Sequence, residues 1–305
     1  MGCRVIRVPH PPQMAAASVW TLDETTPYTR IEDFMAYGGI MYAYNIGSSG
    51  AADLIDRDGG WDLVSTVTHG IGLSGVFPIF QLFGDDLYMA GAGAVHKWNG
   101  SALNQEFYYW DNNYNLLHAG SYMDWMGDAS SNMYVSEHQT TGSAGSWTNR
   151  KRKDWRNYPY VATRFFFDGV ICSTIGYWTV GASYLTFTAR AGNPNNYRLG
   201  YFDEKLWQGW NSNDIRYIAS KGDSWHALGG EPAGYNLQHS EGTVNGLYVL
   251  ALRTADSKSC ILFYDGVDWY EDLVMDTATI NCIVLSGETM WMANDEGEIW
   301  YKNYA

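Results

Sequence analysis

The most constraining feature of the sequence is a short motif that recurs at intervals of 43 to 63 residues. In each copy, a glycine or a small polar residue is followed by an aliphatic, an aromatic and a further apolar residue. The copies are GGIMYAY (38–44), GDDLYMAG (84–91), SNMYVS (131–136), GASYLTFT (181–188), NGLYVLAL (245–252) and GETMWMAN (287–294). The longest interval precedes the fifth copy and leaves room for a seventh, for which Ser224-Trp225-His226 is a candidate. A repeat of this length predicts structural units that pack mainly on their neighbours.

A second pattern, which reads strand, turn and strand, follows four of the copies. The turns contain Asp or Asn, usually with Gly, and these residues supply the positive φ angles of tight hairpins. The segments are DLIDRDGGWDLVSTV (53–67), VHKWNGSALNQEF (95–107), RLGYFDEKLWQGW (198–210) and ILFYDGVDWYEDL (261–273). The acidic residues differ from one segment to the next while the turn is retained, so we interpret these segments as structural rather than functional. Because aromatic side chains bury large areas where units pack together, four tryptophans are predicted at such interfaces: Trp61, Trp98, Trp207 and Trp269.

Several short strands in each repeat unit predict an all-β fold, a single β-propeller with blades of mostly four strands. We expect six blades, with seven as the alternative. The last copy provides only two strands, so the segment ASVWTLDET (17–25) is predicted to pair into the last blade and close the ring. The predicted organisation is an N-terminal arm over residues 1–16 and a propeller domain over residues 17–305.

These repeats and turns resemble the β-propeller superfamily over residues 17–304. The blade signatures of its WD40 and kelch members are absent from the sequence, and the segment DGVDW (265–269) is one residue short of a sialidase Asp box. A Trp-Asn-Gly or Tyr-Asp-Gly turn displayed in successive units is similar to propellers of bacteriophage tail proteins and secreted adhesins. The resemblance implies a structural or interaction role in a virion or at a host surface.

The composition argues against several functional classes. A net charge of −14 does not suit general binding to a phosphate backbone, so nucleic acid is not an expected partner. No apolar run reaches the roughly 18–20 residues of a membrane helix, and the N-terminal MGCRVIRVPHPPQ lacks the apolar core of a signal peptide. We therefore expect no membrane association. The resemblance to phage propellers implies a location in the virion, and the lack of a signal peptide is consistent with assembly in a host cytoplasm.

No catalytic residue, cofactor site or metal site is predicted. The segment HGIGLSG (69–75) has the form of a dinucleotide fingerprint, but a strand follows where a helix is required. The turns at 56–59 and 294–297 carry oxygen ligands suited to calcium, yet Asp, Asn and Gly are expected in hairpin turns in any case. The four cysteines lack the spacing of a zinc or redox motif and are predicted to be reduced thiols.

The strongest local anomaly is the basic segment TNRKRKDWRNYPY (148–160). Five of the 19 basic residues fall within seven positions, interleaved with aromatic residues. Arg and aromatic residues anchor protein interfaces, and they also hold phosphates and stacked bases; the alternative is a solvated loop in an irregular third blade. The predicted partner-binding residues are Arg150, Lys151, Arg152, Lys153, Trp155 and Arg156.

A second candidate surface consists of aromatic residues in Asn-rich segments, because aromatic rings can stack on sugar rings. The segments are YYWDNNYN (108–115) and NPNNY (193–197). The predicted glycan-binding residues are Trp110, Tyr114 and Tyr197.

The sequence therefore favours a non-enzymatic structural or interaction protein. The specific prediction is a tail-associated component of a bacteriophage virion, which binds other virion or tail proteins or a host surface receptor as part of an oligomeric assembly. A carbohydrate-binding propeller is the alternative. A glycosidase is the third possibility, and it would require carboxylates that converge at the centre of the ring.

Overall fold

The computed structural model describes residues 19–47, 51–68, 79–83, 86–91, 94–108, 115–119, 122–129, 132–139, 147–154, 164–173, 176–180, 185–190, 199–211 and 214–303. The regular secondary structure of these ranges consists of β-strands, which confirms the all-β class. In chain order the strands are β1 (Thr21–Thr25), β2 (Ile31–Tyr37), β3 (Ile40–Ile46), β4 (Ala51–Arg57), β5 (Trp61–Thr68), β6 (Ile79–Phe83), β7 (Asp86–Gly91), β8 (Ala94–Trp98), β9 (Leu103–Tyr108), β10 (Asn115–Ala119), β11 (Tyr122–Ala129), β12 (Asn132–Gln139), β13 (Trp147–Asp154), β14 (Arg164–Phe167), β15 (Val170–Ser173), β16 (Gly176–Val180), β17 (Leu185–Ala189), β18 (Gly200–Phe202), β19 (Lys205–Asn211), β20 (Asp214–Ile218), β21 (His226–Ala227), β22 (Tyr235–Gly242), β23 (Leu247–Arg253), β24 (Ser259–Tyr264), β25 (Trp269–Val274), β26 (Ile280–Ser286), β27 (Thr289–Asn294) and β28 (Glu298–Asn303). Among the described residues there is no helix with the length and apolar character needed to cross a membrane.

The strands of the described residues form seven four-stranded sheets, which we number as blades 1 to 7. Blades 1 to 6 take their strands in chain order: β2–β5, β6–β9, β10–β13, β14–β17, β18–β21 and β22–β25. Blade 7 contains β26, β27 and β28, and β1 completes it. In that blade β1 runs antiparallel to β28, with Thr21 opposite Tyr301 and Leu22 opposite Trp300. The predicted pairing of an N-terminal strand into the last blade is confirmed.

The first strands of the blades lie around a common centre. β2 contacts both β6 and β26, β10 contacts β6 and β14, and β22 contacts β18 and β26. The contact between β2 and β26 joins the first blade to the last and closes the ring. This is the arrangement of a β-propeller, in which the first strand of each blade is innermost and the fourth is outermost.

The described residues contain seven blades, the alternative count, in place of the expected six. The additional blade is blade 5, whose strands lie within residues 200–227 and fill the longest interval between motif copies. The copies are not equivalent either. Residues 132–136 of SNMYVS lie on the third strand of their blade, and residues 185–188 of GASYLTFT lie on the fourth strand of theirs. Alternation of apolar and polar residues marks any half-buried strand, so it does not indicate the place of a strand within a blade.

Aromatic side chains fill the interfaces between neighbouring blades. Between blades 7 and 1, the rings of Phe34, Trp61 and Trp291 have centroids 5.8 Å apart in each pair. Between blades 1 and 2, the indole N–H of Trp98 donates to the hydroxyl of Tyr42 at 3.2 Å. Such contacts combine area burial with favourable ring geometry, and they confirm the interface position predicted for Trp61 and Trp98.

Trp207 and Trp269 belong to the same apolar cluster between blades 5 and 6. Trp207 is buried and its ring lies 6.1 Å from that of Tyr264. Trp269 lies 4.9 Å from Tyr264 within its own blade and stays partly exposed. The interface prediction is confirmed for Trp207, whereas Trp269 covers the cluster from the outermost strand.

The turn between β24 and β25 depends on Asp265 and Gly266. One carboxylate oxygen of Asp265 accepts the N–H groups of Val267 and Asp268, each at 2.8 Å, and Gly266 has a φ of 101° that only glycine adopts without strain. We expect Gly266→Val to lower the free energy of unfolding by about 2 kcal/mol because a β-branched residue is strained at this φ. Asp268→Leu, in the same turn, should change it by less than about 0.5 kcal/mol. Urea unfolding measures both, and equal losses would contradict this account of the turn.

Candidate interaction surfaces

The basic segment lies on a strand. Arg150, Lys151, Arg152 and Lys153 are part of β13, which ends the hydrogen-bonded order of blade 3. In its register with β12, Arg150 is opposite Val135 and Arg152 is opposite Tyr134, so the irregularity between these pairs falls at Lys151. The alternative of a solvated loop is therefore wrong for residues 150–153. Trp155 and Arg156 lie outside the described residues.

An outermost strand has particular consequences for association. Its outward N–H and C=O groups can pair with another chain, and lysine on such a strand discourages unwanted pairing. Four successive cationic residues also create a local positive field that attracts an acidic surface and orients its approach. The position of β13 is thus compatible both with protection of a sheet edge and with recognition of an acidic partner.

The three glycan-binding candidates, Trp110, Tyr114 and Tyr197, lie outside the described residues. The carbohydrate-binding hypothesis therefore stays a prediction from the sequence.

The two turns considered for calcium use their oxygen atoms within the chain. Asn294 Oδ1 accepts the N–H groups of Glu296 and Glu298 at 3.1 and 3.0 Å, and Asn294 Nδ2 donates to the Glu298 carboxylate at 2.8 Å. In the other turn, burial raises the pKa of Asp56, and the nearby carboxylates of Asp58 and Asp62 raise it further, against the lowering effect of a backbone hydrogen bond. In the part of the chain that the structure describes, no group of three or more His, Cys, Asp or Glu residues is placed to hold a metal ion.

A buried carboxylate lies close to the ring centre. Asp33, on the innermost strand of blade 1, is 6% exposed. Its two oxygens accept the N–H group of Phe34 at 3.0 Å and that of Phe80, on the innermost strand of blade 2, at 3.1 Å. Asp33 therefore links two blades, a structural role that differs from the paired carboxylates of a glycosidase.

An ion pair holds β1 against blade 1. Arg57 donates to both carboxylate oxygens of Asp23 at 2.6 and 2.5 Å, and the Asp23 side chain is only 8% exposed. The indole N–H of Trp61 donates to the same carboxylate at 2.8 Å. The hydrogen bond to Asp23 raises the pKa of the Arg57 guanidinium, against an opposing effect of burial. Sequence analysis missed this pair because nothing local relates a residue of β1 to a hairpin in a different blade.

A second ion pair joins blades 6 and 7. Lys302 Nζ lies 2.5 Å from an oxygen of Asp272, and their side chains are 9% and 16% exposed. The indole N–H of Trp20 donates to the other Asp272 oxygen at 2.7 Å, and the Lys302 ammonium lies 5.5 Å from the ring centroid of Tyr248. These contacts fix the segment that leads into β1 to both blades.

Blade 6 exposes apolar side chains at one end, which we call the turn-tip patch: Val244, Val267 and Tyr270. Val244 lies in the turn between β22 and β23, and Val267 in the turn between β24 and β25. Both turns are at the same end of the blade because its four strands run antiparallel in chain order. The exposed fractions are 91% for Val244, 79% for Val267 and 43% for Tyr270. Sequence analysis passed over this surface, although valine at turn positions that favour polar residues was a usable signal.

Comparison with known proteins supports the fold assignment. No known protein family and no curated protein matches the sequence. Among solved structures, virginiamycin B lyase from Staphylococcus aureus is 13% identical, with a TM-score of 0.64 over 94% of this chain and 100% of that one. YCF48 bound to D1 peptide is 13% identical, with a TM-score of 0.61 over 94% and 95% of the two chains. BamB from Moraxella catarrhalis is 9% identical, with a TM-score of 0.58 over 90% and 85%.

At these identities the likeness concerns the fold alone. Together with the closed ring of four-stranded blades, it identifies the fold as a β-propeller. The solved structures just described show no similarity of this chain to phage tail proteins or adhesins.

Proposed function

We propose that this protein is a non-catalytic propeller scaffold whose basic outermost strand, β13, binds an acidic surface of a protein partner. The specific role proposed is that of a tail-associated component of a bacteriophage virion, in an oligomeric assembly with other virion or tail proteins. The virion role rests on the sequence resemblance described above. The interaction role rests on β13 itself.

The observation that carries the proposal is the place of the basic cluster. Four successive cationic residues, 150–153, lie on the last strand of a blade in a chain with a net charge of −14. Function in propellers resides in the residues that the fold displays rather than in the fold itself, and the similar YCF48 structure is bound to D1 peptide. Arginine is enriched at the anchor positions of protein interfaces, so β13 is a suitable contact strand.

The test replaces Arg150, Lys151, Arg152 and Lys153 with Ser. Tagged wild-type and variant proteins are expressed in the cells in which the protein occurs, and the proteins they retain are compared by quantitative mass spectrometry. We expect the variant to retain its partners at least tenfold less, because each lost cation removes part of the attraction to an acidic surface. The retained wild-type partners should include virion or tail proteins.

The matched control removes four cations elsewhere: Arg30, Arg216, Lys221 and Lys258, all replaced with Ser. This variant has the same change in net charge, so it separates the location of the charge from its amount. Retention unchanged in the β13 variant, or lost equally in the control, would refute the proposal. Specific binding of the wild type to a glycan array would instead favour the carbohydrate-binding alternative.

A further inference from the structure

We infer that the partner of β13 is a second copy of this chain, which receives the basic strand on its turn-tip patch, so that the protein associates with itself head to tail. This inference rests on the proposed function, since it specifies what β13 binds. It adds a second surface, on blade 6, and it identifies the partner.

The turn-tip patch has the apolar part of a docking surface. Val244 and Val267 project at the same end of one blade and are 91% and 79% exposed. Tyr270 lies beside them, because its hydroxyl donates to Asp265 in the turn that carries Val267, at 3.2 Å. Aromatic and aliphatic side chains in this setting supply the contact area of an interface.

The surroundings of the patch are acidic. Asp203 and Glu204 form the neighbouring turn of blade 5, and Asp265 and Asp268 lie in the turn of Val267. The two turns are close: a side chain at Gly266 would meet the ring of Phe202, which precedes Asp203, at 3.6 Å. In these two turns and the strand residues directly after them, the structure places one cation, Lys205, which is paired with Asp203.

Hydrogen bonds favour the ionised form of the Asp265 carboxylate in this region. Burial acts to raise the pKa of Asp265, but the N–H groups of Asp268 and Val267 and the hydroxyl of Tyr270 together lower it. Burial raises the pKa of Tyr264, and the carboxylates of Asp265, Asp203 and Asp268 raise it further. Three carboxylates thus act on the phenol of Tyr264, which lies in the strand that precedes the turn of Val267.

A segment of complementary charge is present on the same chain. Residues 150–153 carry four positive charges on β13, and Trp147 and Trp155 flank them in the sequence. The patch belongs to blade 6 and β13 to blade 3, so two or more blades separate them in either direction around the ring. One copy cannot bring its own two surfaces together, and the contact must form between copies.

In the head-to-tail arrangement proposed here, the contact is heterologous. Each copy then keeps one surface free, and association continues until a ring closes or a filament grows. Opposite charges around an apolar centre also make the contact sensitive to salt, since added ions screen exposed charges.

The first measurement uses the wild-type chain alone. Sedimentation velocity is recorded over a range of protein concentrations in 50 mM and in 500 mM NaCl. We expect species above the 34.3 kDa monomer at low salt that increase with concentration, and at least a tenfold weaker association at high salt. A wild type that stays monomeric at every concentration in low salt would overturn the inference without any variant.

The second measurement uses two full-length variants, Val244→Ser with Val267→Ser, and Arg150, Lys151, Arg152 and Lys153→Ser. Both are first compared with the wild type by circular dichroism and thermal unfolding. Each variant alone should be monomeric, because it keeps only one of the two surfaces. An equimolar mixture should form a heterodimer of twice the 34.3 kDa chain mass and nothing larger, because one variant provides an intact strand and the other an intact patch.

Two results contradict the inference: either variant still associates with itself, or the mixture stays monomeric. These failures are distinguishable from failure of the proposed function. If the wild type is monomeric but the β13 variant loses a different protein partner, the scaffold function stands and self-association is wrong. If the β13 variant keeps both its protein partners and its self-association, the proposed function and the self-association inference are both wrong.

Discussion

A chain that lacks residues 1–25 is expected to lose about 5 kcal/mol or more of its free energy of unfolding, which is comparable with the total stability of many domains. The truncation removes β1, and with it the hydrogen bonds to β28. It removes the buried Trp20, a change that costs about 3–5 kcal/mol in cores. It also leaves Arg57 without the Asp23 carboxylate that binds it at two positions.

The control for this truncation removes residues 1–16, the predicted arm. We expect its urea midpoint to equal that of the full chain, because the contacts of Trp20 and β1 are kept. A synthetic peptide of residues 17–27 added to the 1–25 truncation should raise the midpoint again by strand addition, whereas the same peptide with Trp20→Ala and Asp23→Asn should not. Equal stability of the two truncations would show that β1 does not close the ring.

Asp272→Ala is expected to lower the free energy of unfolding by about 3–5 kcal/mol, because it leaves a buried cation without its partner. The Lys302 side chain is only 9% exposed, so solvent compensates poorly for the lost carboxylate. The indole N–H of Trp20 loses its acceptor in the same substitution. Urea unfolding monitored by tryptophan fluorescence measures the loss.

Two further variants test the cause. Asp276→Ala removes a carboxylate that binds Lys258 at a similar distance, 2.7 Å, but is 92% exposed, and it should leave the urea midpoint unchanged. Addition of Lys302→Met to Asp272→Ala should recover most of the loss, because the double variant has no unpaired charge in the interface. If the double variant is as unstable as Asp272→Ala alone, packing around Asp272, rather than the charge of Lys302, is responsible.

Local patterns in the sequence were sufficient for the strands and turns. Alternating apolar residues and turns such as Asp265-Gly266 carry their own geometric requirements, and the structure has strands and a positive φ where they predict them. The closing strand was also predictable, because a last unit with too few strands needs a partner from the other end of the chain. The blade count was less accessible, since a half-buried strand looks the same in any position of a blade.

The candidate surfaces also combine features that the sequence predicts with features that only the structure shows. The basic cluster at 150–153 is a property of composition and was visible at once. Its place on an outermost strand depends on hydrogen bonds between β12 and β13, which the sequence does not state. The exposure of Val244 and Val267 likewise depends on where the turns of blade 6 point relative to blade 5.

The sequence by itself determined that this chain forms repeated β-units with tight turns, apolar interfaces and a ring closed by its N-terminal strand, because these features follow from residue spacing and local backbone preference. Only the tertiary structure decided that the described residues form seven blades and that Asp23 meets Arg57 and Asp272 meets Lys302. It also decided that the turn-tip patch lies beside a neighbouring acidic turn. These pairings join residues far apart in the chain, and their energy comes from burial and charge at interfaces that exist only once the ring is closed.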